Sequence, residues 1–336
     1  MKKIVSKLLA ALTCLLFVGG CQTQKEDIRI YMPDGAPSLA FAQLLHEDTE
    51  RDGVSYYVVE SSLIRTKVTY EDEAKNADLC VLPLTAATKL LGNGENYQML
   101  GAVTHGNLYL VSKTGEEYTS ANISTLVGKK IGVLQLNEVP GLIFKTTLNN
   151  LGVPYVENGE KQENAVNLFA IASPKEVGAY PDTDGYLIAE PAVSAQAAKG
   201  FACVGDIQRL YGGEDGYPQA VLVAKTTLIE DKQDWLYGFV QKLAGGASWL
   251  QSASAETVVS AVRAHFEDKT YAGVLNAKTL NAQVFARCGI RFEQAKTSGA
   301  KATAFLQAAK KVNDKMAVVP SEAFYCTLDF GGNFEK

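Results

Sequence analysis

Apolar residues along this chain come in short runs of four to eight, separated by polar breaks rich in Gly, Pro, Asn and Asp. Asp27–Met32 reads as a strand and stops at the turn cluster Pro33-Asp34-Gly35-Ala36-Pro37-Ser38. Leu39–Leu45 has helical spacing, and Gly53–Val59 is a second strand rich in Tyr and Val. Tyr70–Ala77 reads as a short polar helix, Asp78–Leu82 as a buried strand and Thr85–Leu91 as a helix. Met99–Thr104 and Leu108–Ser112 read as further strands. Residues 27–112 thus alternate strand and helix, the mark of a largely parallel α/β sheet.

The pattern then restarts. Lys130–Leu134 is a strand, and Glu138–Leu151 is a helix ended by Gly152. Strands are expected at Ala165–Ala172, Gly185–Ile188 and Ala202–Gly205, with helices Ser173–Tyr180 and Pro191–Lys199 between them. Gln219–Lys225 is another apolar strand, and Asp231–Lys311 is mostly helical, with a break near Gly289-Ile290-Arg291-Phe292. Leu108–Lys113 leads out of the first unit and Gln219–Lys225 follows the second. Side by side, these two strands would make a hinge, with a cleft between the lobes at the carboxyl ends of the strands. In the helical tail, Trp235, Leu236, Phe239, Val240, Leu243, Trp249 and Leu250 fall at helical spacings and read as core.

The N-terminus MKKIVSKLLAALTCLLFVGGC has a different pattern. Lys2, Lys3 and Lys7 precede the apolar stretch Leu8–Val18, which has signal-peptide length and falls short of the roughly 20 residues of a membrane-spanning helix. Val18-Gly19-Gly20-Cys21 resembles the lipobox of bacterial lipoproteins. That resemblance implies cleavage before Cys21 and acylation of its sulfur; a plain secretory signal is the other reading. The expected location is extracytoplasmic, anchored to the cell membrane. Removing residues 1–20 leaves 29 basic and 37 acidic residues, a net of −8. An acidic chain gains no attraction to anionic lipid or to nucleic acid, so the lipid must be the anchor and no nucleic-acid partner is expected.

Composition narrows the class. The chain has 336 residues, 47% hydrophobic and 21% charged, which suits a globular protein of about two domains rather than a disordered one. Its three histidines make a multi-histidine metal site improbable, and no metal or cofactor is expected. Cys80 and Cys203 sit in apolar runs and read as buried strand residues. With Cys288 and Cys326 they allow three disulfide pairings, and free thiols are the default reading.

Several segments, in order along residues 27–326, together resemble the substrate-binding lipoproteins of ABC importers. The resemblance is to the family that includes nitrate, sulfonate, taurine and thiamine-precursor binding proteins. They are ADLCVLPLTAATKLL (77–91), GNLYLVSKTG (106–115), LVGKKIGVLQLNEVPGLIFKTTLNNLG (126–152), YLIAEPAVSAQ (186–196), GYPQAVLVAK (216–225) and VVPSEAFY (318–325). The resemblance implies a two-lobed α/β type II periplasmic-binding-protein fold with a two-strand hinge and a helical C-terminal part returning to the first lobe. The expected division is a signal peptide 1–20, a lipidated tether 21–27, a first lobe of 28–112 and 219–336, and a second lobe of 113–218. The implied function is capture of a small nutrient and delivery to a membrane permease and its ATPase, by a monomer. An enzyme on the same fold, or a ligand-sensing lipoprotein, remains the alternative. The chain carries no G-x-S-x-G, H-E-x-x-H, P-loop or strand-following G-x-G-x-x-G.

Candidate ligand contacts lie at strand ends. Ser38 follows the first strand and offers a helix start, either as a cap alone or as an anion-binding turn. Pro83 and Thr85 form the equivalent turn after the buried strand, with capping alone the other reading. Asn137, Val139 and Pro140 open the long helix of the second lobe, where the family often holds the anionic or polar end of its ligand. Glu138 departs from that pattern, because a carboxylate there competes with an anion. Glu190 follows a strand and either binds an amine or ring N–H, or caps the next helix or bridges the hinge. His105 and Asn107 precede the outgoing strand. Tyr217 precedes the returning one and either stacks on a planar ligand or packs in the core; Tyr31 is a weaker aromatic candidate. With Glu138 and Glu190 near the site and no Arg in these turns, the expected ligand is planar or amine-bearing, such as a thiamine-precursor-like pyrimidine, rather than an inorganic anion.

Overall fold

The computed structural model describes residues 27–48, 53–212 and 216–331. Cys21 and the expected signal peptide lie outside them. Two six-stranded mixed sheets, each flanked by helices, build two lobes. The first sheet has the order β12 (Ile290–Gln294), β4 (Tyr97–His105), β11 (Pro218–Lys225), β3 (Leu79–Pro83), β1 (Ile28–Pro33), β2 (Val54–Val59). The second has β10 (Ala202–Asp206), β5 (Leu108–Ser112), β9 (Gly185–Ala189), β6 (Lys130–Leu134), β8 (Val166–Ile171), β7 (Tyr155–Glu157).

The inner strands are apolar on both faces because helices cover both. In β3, Leu79, Cys80, Val81 and Leu82 are all fully buried, between parallel β1 and antiparallel β11. Each such side chain contributes roughly 1.5–3 kcal/mol through burial. One face joins Ile30, Leu79 and Leu222 to the helices Ala42–Glu47, Gln233–Ser252 and Ala255–Ala264. The other face belongs to a core that runs from Tyr31 and Leu82 through Tyr217 and Phe305 to Leu136 and Leu142, so apolar packing is continuous from lobe to lobe.

The hinge differs from the expectation. Leu108–Ser112 pairs with β9 and β10 in the second sheet, whereas Pro218–Lys225 pairs with β3 and β4 in the first. The adjacent strands at the crossing are β4 and β11, with His105 opposite Pro218. The chain changes lobe at Gly106–Asn107, not at residue 112. Gly106 turns there with φ +67, a left-handed conformation in which a Cβ would meet the Gln208 side chain at 2.4 Å.

Other differences have local causes. Tyr70–Ala77 is not a helix: Asn76 accepts from the Tyr70 amide and Arg29 ties down the Ala74 and Asn76 carbonyls, leaving one 3-10 turn, Glu73–Lys75. The expected helix 173–180 is only the turn Pro174–Glu176, stopped by Gly178 at φ +85. Leu39–Leu45 divides into Ala36–Ala40 and Ala42–Glu47. Cys203 is exposed on edge strand β10, not buried; Cys80, Cys288 and Cys326 are buried, and all four thiols are free. The returning tail also adds β12 to the first sheet.

Candidate ligand cleft between the lobes

Where the carboxyl ends of the two sheets face each other lies a cleft of about 570 Å³. From the first lobe, Ser61, Ser62 and Arg65 follow β2, and Pro83 ends β3. From the second, Gln135, Leu136, Asn137 and Glu138 follow β6, Ala170 and Ile171 end β8, and Ala172 and Glu176 follow it. Strand-end loops of open α/β sheets are where ligands bind, because backbone amides and side chains converge there.

The electrostatics of the walls are specific. Arg65 Nη2 reaches Glu138 Oε2 at 2.7 Å, an ion pair from lobe to lobe. Glu138 is the N-cap of the helix Val139–Asn150, yet its side chain makes no capping hydrogen bond; it reaches across the cleft instead. Glu176 is satisfied within its own lobe, accepting from Tyr180 Oη at 2.6 Å and from the Ala172 and Ser173 amides. The Tyr180 hydrogen bond, helped by those amides, holds its carboxyl below the usual range.

Of the expected contacts, Pro83 and Asn137 line the cleft. Val139 and Pro140 are buried behind it, at the start of their helix. Ser38 is fully buried and acts locally: its Oγ donates to Gly35 O at 2.9 Å and lies 3.4 Å from Asp34 Oδ1. Burial pushes the Asp34 carboxyl up, against hydrogen bonds from Val274 and Gly35 that pull it down. Thr85 is buried, and its Oγ1 has no hydrogen-bond partner among the described residues.

His105, Asn107, Glu190 and Tyr217 are set inside the structure, at the crossing between the lobes and around it. His105 Nε2 lies 2.8 Å from Glu293 Oε2; burial lowers the imidazole pKa more than Glu293 raises it. Asn107 Nδ2 donates to the Glu190 carbonyl at 3.0 Å. The buried Glu190 carboxylate accepts from Ser194 Oγ at 2.8 Å and from the Ser194 amide at 3.0 Å. Its Oε1 also pairs with Arg287 Nη2 at 2.7 Å, and that guanidinium lies 4.8 Å from the Tyr109 ring centre. Glu190 thus caps the next helix and bridges to Arg287, and its charge is met in this structure. Tyr217 is buried, stacked on Phe305 at 5.8 Å with Tyr211 edge-on at 5.5 Å. Tyr31 stacks on Tyr57 at 4.7 Å. Neither ring offers a free face to a planar ligand in this conformation.

The sequence reading missed Arg65, Ser61, Ser62 and Gln135. The polar break Glu60-Ser61-Ser62 directly after a strand was the available signal, by the same strand-end rule that selected Pro83. None of the turns selected in the sequence carries an arginine, but Arg65, from a turn outside them, stands in the cleft wall.

No protein-family model and no curated protein matches the sequence. Solved structures do match in shape. A structure described as an ABC transporter from Parabacteroides distasonis superposes with a TM-score of 0.69 at 19% identity, over 90% of this chain and 100% of that one. The periplasmic aliphatic sulphonate binding protein SsuA from Escherichia coli gives 0.60 at 14%, over 93% and 98%. The ligand-binding component of an ABC-type import system from Staphylococcus aureus, with zinc bound, gives 0.57 at 13%, over 89% and 96%. The chain has the two-lobed α/β periplasmic-binding-protein fold that these likenesses share.

Proposed function

We propose that the protein is the solute-binding component of an ABC importer, holding a small molecule between its lobes and delivering it to a permease. The observation that carries this reading is the cleft itself, whose two walls come from different lobes and carry polar side chains at strand ends. Ligand contacts on both walls give a ligand differential affinity for the closed state, which is how a carrier signals that it is loaded. The similar structures are described as transport and binding proteins, which supports binding over catalysis. Among the described residues, no group of three or more His, Cys, Asp or Glu could hold a metal ion. Export and lipid attachment at Cys21 belong to the same proposal, as does the division into a continuous second lobe inserted in a discontinuous first.

We set aside the charge argument for an amine-bearing ligand, because both carboxylates it relied on already have cationic partners. Glu138 is paired with Arg65, Glu190 with Arg287, and both tyrosines are packed. The ligand is therefore best sought without a preset charge. A thermal-shift screen of nutrients against the chain from residue 22 tests the reading. A ligand at one hundred times its Kd stabilises by about 2.7 kcal/mol, and Asn137→Ala in the cleft wall should reduce that shift. If no small molecule raises the midpoint, the carrier reading fails.

A further inference from the structure

The Arg65–Glu138 pair has three features that together suggest more than a surface contact. It joins residues of opposite lobes at 2.7 Å, in the wall of the cleft. Among the described residues neither side chain has another hydrogen-bond or ion-pair partner. Both are open to water, with side-chain exposures of 45% and 24%, so the pair can part without leaving a charge in a dry interior. Arg287–Glu190 also runs from the returning C-terminal segment to the second lobe, but Glu190 is buried and the pair lines neither wall of the cleft. That second pair is an anchor; Arg65–Glu138 is the one placed to release.

We propose that Arg65 and Glu138 form a latch that draws the ligand-free lobes together and must open for a solute to enter. This concerns access to the cleft and rests on the carrier reading for its purpose, though not for its test. Arg65 comes from the 3-10 turn Ile64–Val68 after β2, and Glu138 is the N-cap of the helix after β6. Each is thus carried on a loop that follows a sheet strand and moves with its own lobe. The attraction is electrostatic and solvent-facing, so added salt weakens it while leaving the apolar contacts between the lobes intact.

Small-angle scattering on the ligand-free chain from residue 22, which retains every described element, reads the latch directly. The wild type is expected to shift to a larger radius of gyration between low salt and about 0.5 M sodium chloride, where screening reaches only a few ångströms. Arg65→Gln and Glu138→Gln should show the larger radius already at low salt. An exposed pair of this kind shifts the ratio of open to closed molecules by about 1.5- to 5-fold. The reversed pair, Arg65→Glu with Glu138→Arg, should restore the smaller radius. A radius that is the same in wild type and single variants at every salt concentration overturns the latch, as does a reversed pair that behaves like the single variants. No ligand is needed, so failure of the nutrient screen and failure of the latch are separate results.

Discussion

Glu293 lies between two basic groups beside the crossing of the lobes, 2.8 Å from His105 Nε2 and 2.7 Å from Lys301 Nζ. Burial pushes its carboxyl up, but the hydrogen bonds from His105 and Lys301 outweigh this and hold it at about 2. Its folded pKa lies below the unfolded value of about 4.3, so its contribution is complete above that range and is lost as pH falls towards 2. The size is on the order of 3 kcal/mol. His105 acts in the same direction, because its lowered pKa means that protons bind the unfolded chain first below about pH 6.5. Urea unfolding at pH 7 and pH 3 should show a smaller loss of stability for Glu293→Gln than for wild type; equal losses would rule out this carboxylate as the source. Arg287→Ala should cost about 3 kcal/mol, since it strands the buried Glu190 charge. The double change Glu190→Gln with Arg287→Leu should recover part of that, as measured by thermal midpoint.

Among the elements, those that read plainly in the sequence are the ones whose burial is uniform. Asp78–Leu82 and Lys130–Leu134 are short apolar runs because helices cover both faces of their sheets, and the structure has β3 and β6 there. β12 did not read as a strand because its side chains serve the crossing: Arg291 is half-buried, and the buried Glu293 is charged. The sequence reads as helix at 70–77 and 173–180, but tertiary hydrogen bonds at the first and a glycine at the second win locally. The start of the helix Val139–Asn150 was legible from Pro140 and Gly141, and its tolerance is now specific. A Cβ on Gly141 would lie 1.8 Å from the Leu136 carbonyl oxygen, inside the turn that carries Glu138. Gly141→Ala should therefore destabilise by about 1–3 kcal/mol or more, through overpacking against backbone that cannot yield cheaply. Chemical denaturation that showed no change would mean the turn relaxes freely.

For the whole molecule, two lobes were visible in the restart of the α/β pattern, and the cleft followed from strand-end logic. Its charge balance was not visible. Arg65 lies in a turn with no helical or strand period, and its partner belongs to the other lobe, so only the assembled fold brings them together. Binding of a solute should reduce the radius of gyration relative to the salt-opened state; an unchanged radius with ligand bound would contradict closure. Cys21→Ala should leave the precursor uncleaved and abolish fatty-acid labelling, and normal labelling would remove the proposed anchor.

The crossing has one more consequence. His105 at the end of β4 faces Pro218 at the start of β11 across an antiparallel ladder. Strand ends in that relation are the ends that a two-residue Asn-Gly turn joins in an ordinary hairpin. The second lobe thus occupies the place of a hairpin loop, which makes this point a natural graft site. A short turn in place of residues 106–217 would leave β4 and β11 paired, and the first sheet would keep all six strands. It would also strip the cover from Phe305, which packs on Tyr211 and Tyr217. An excised first lobe would need a polar side chain at position 305 before it could stay dispersed in water, whereas a different domain spliced in at the same two residues would inherit a ready-made seat.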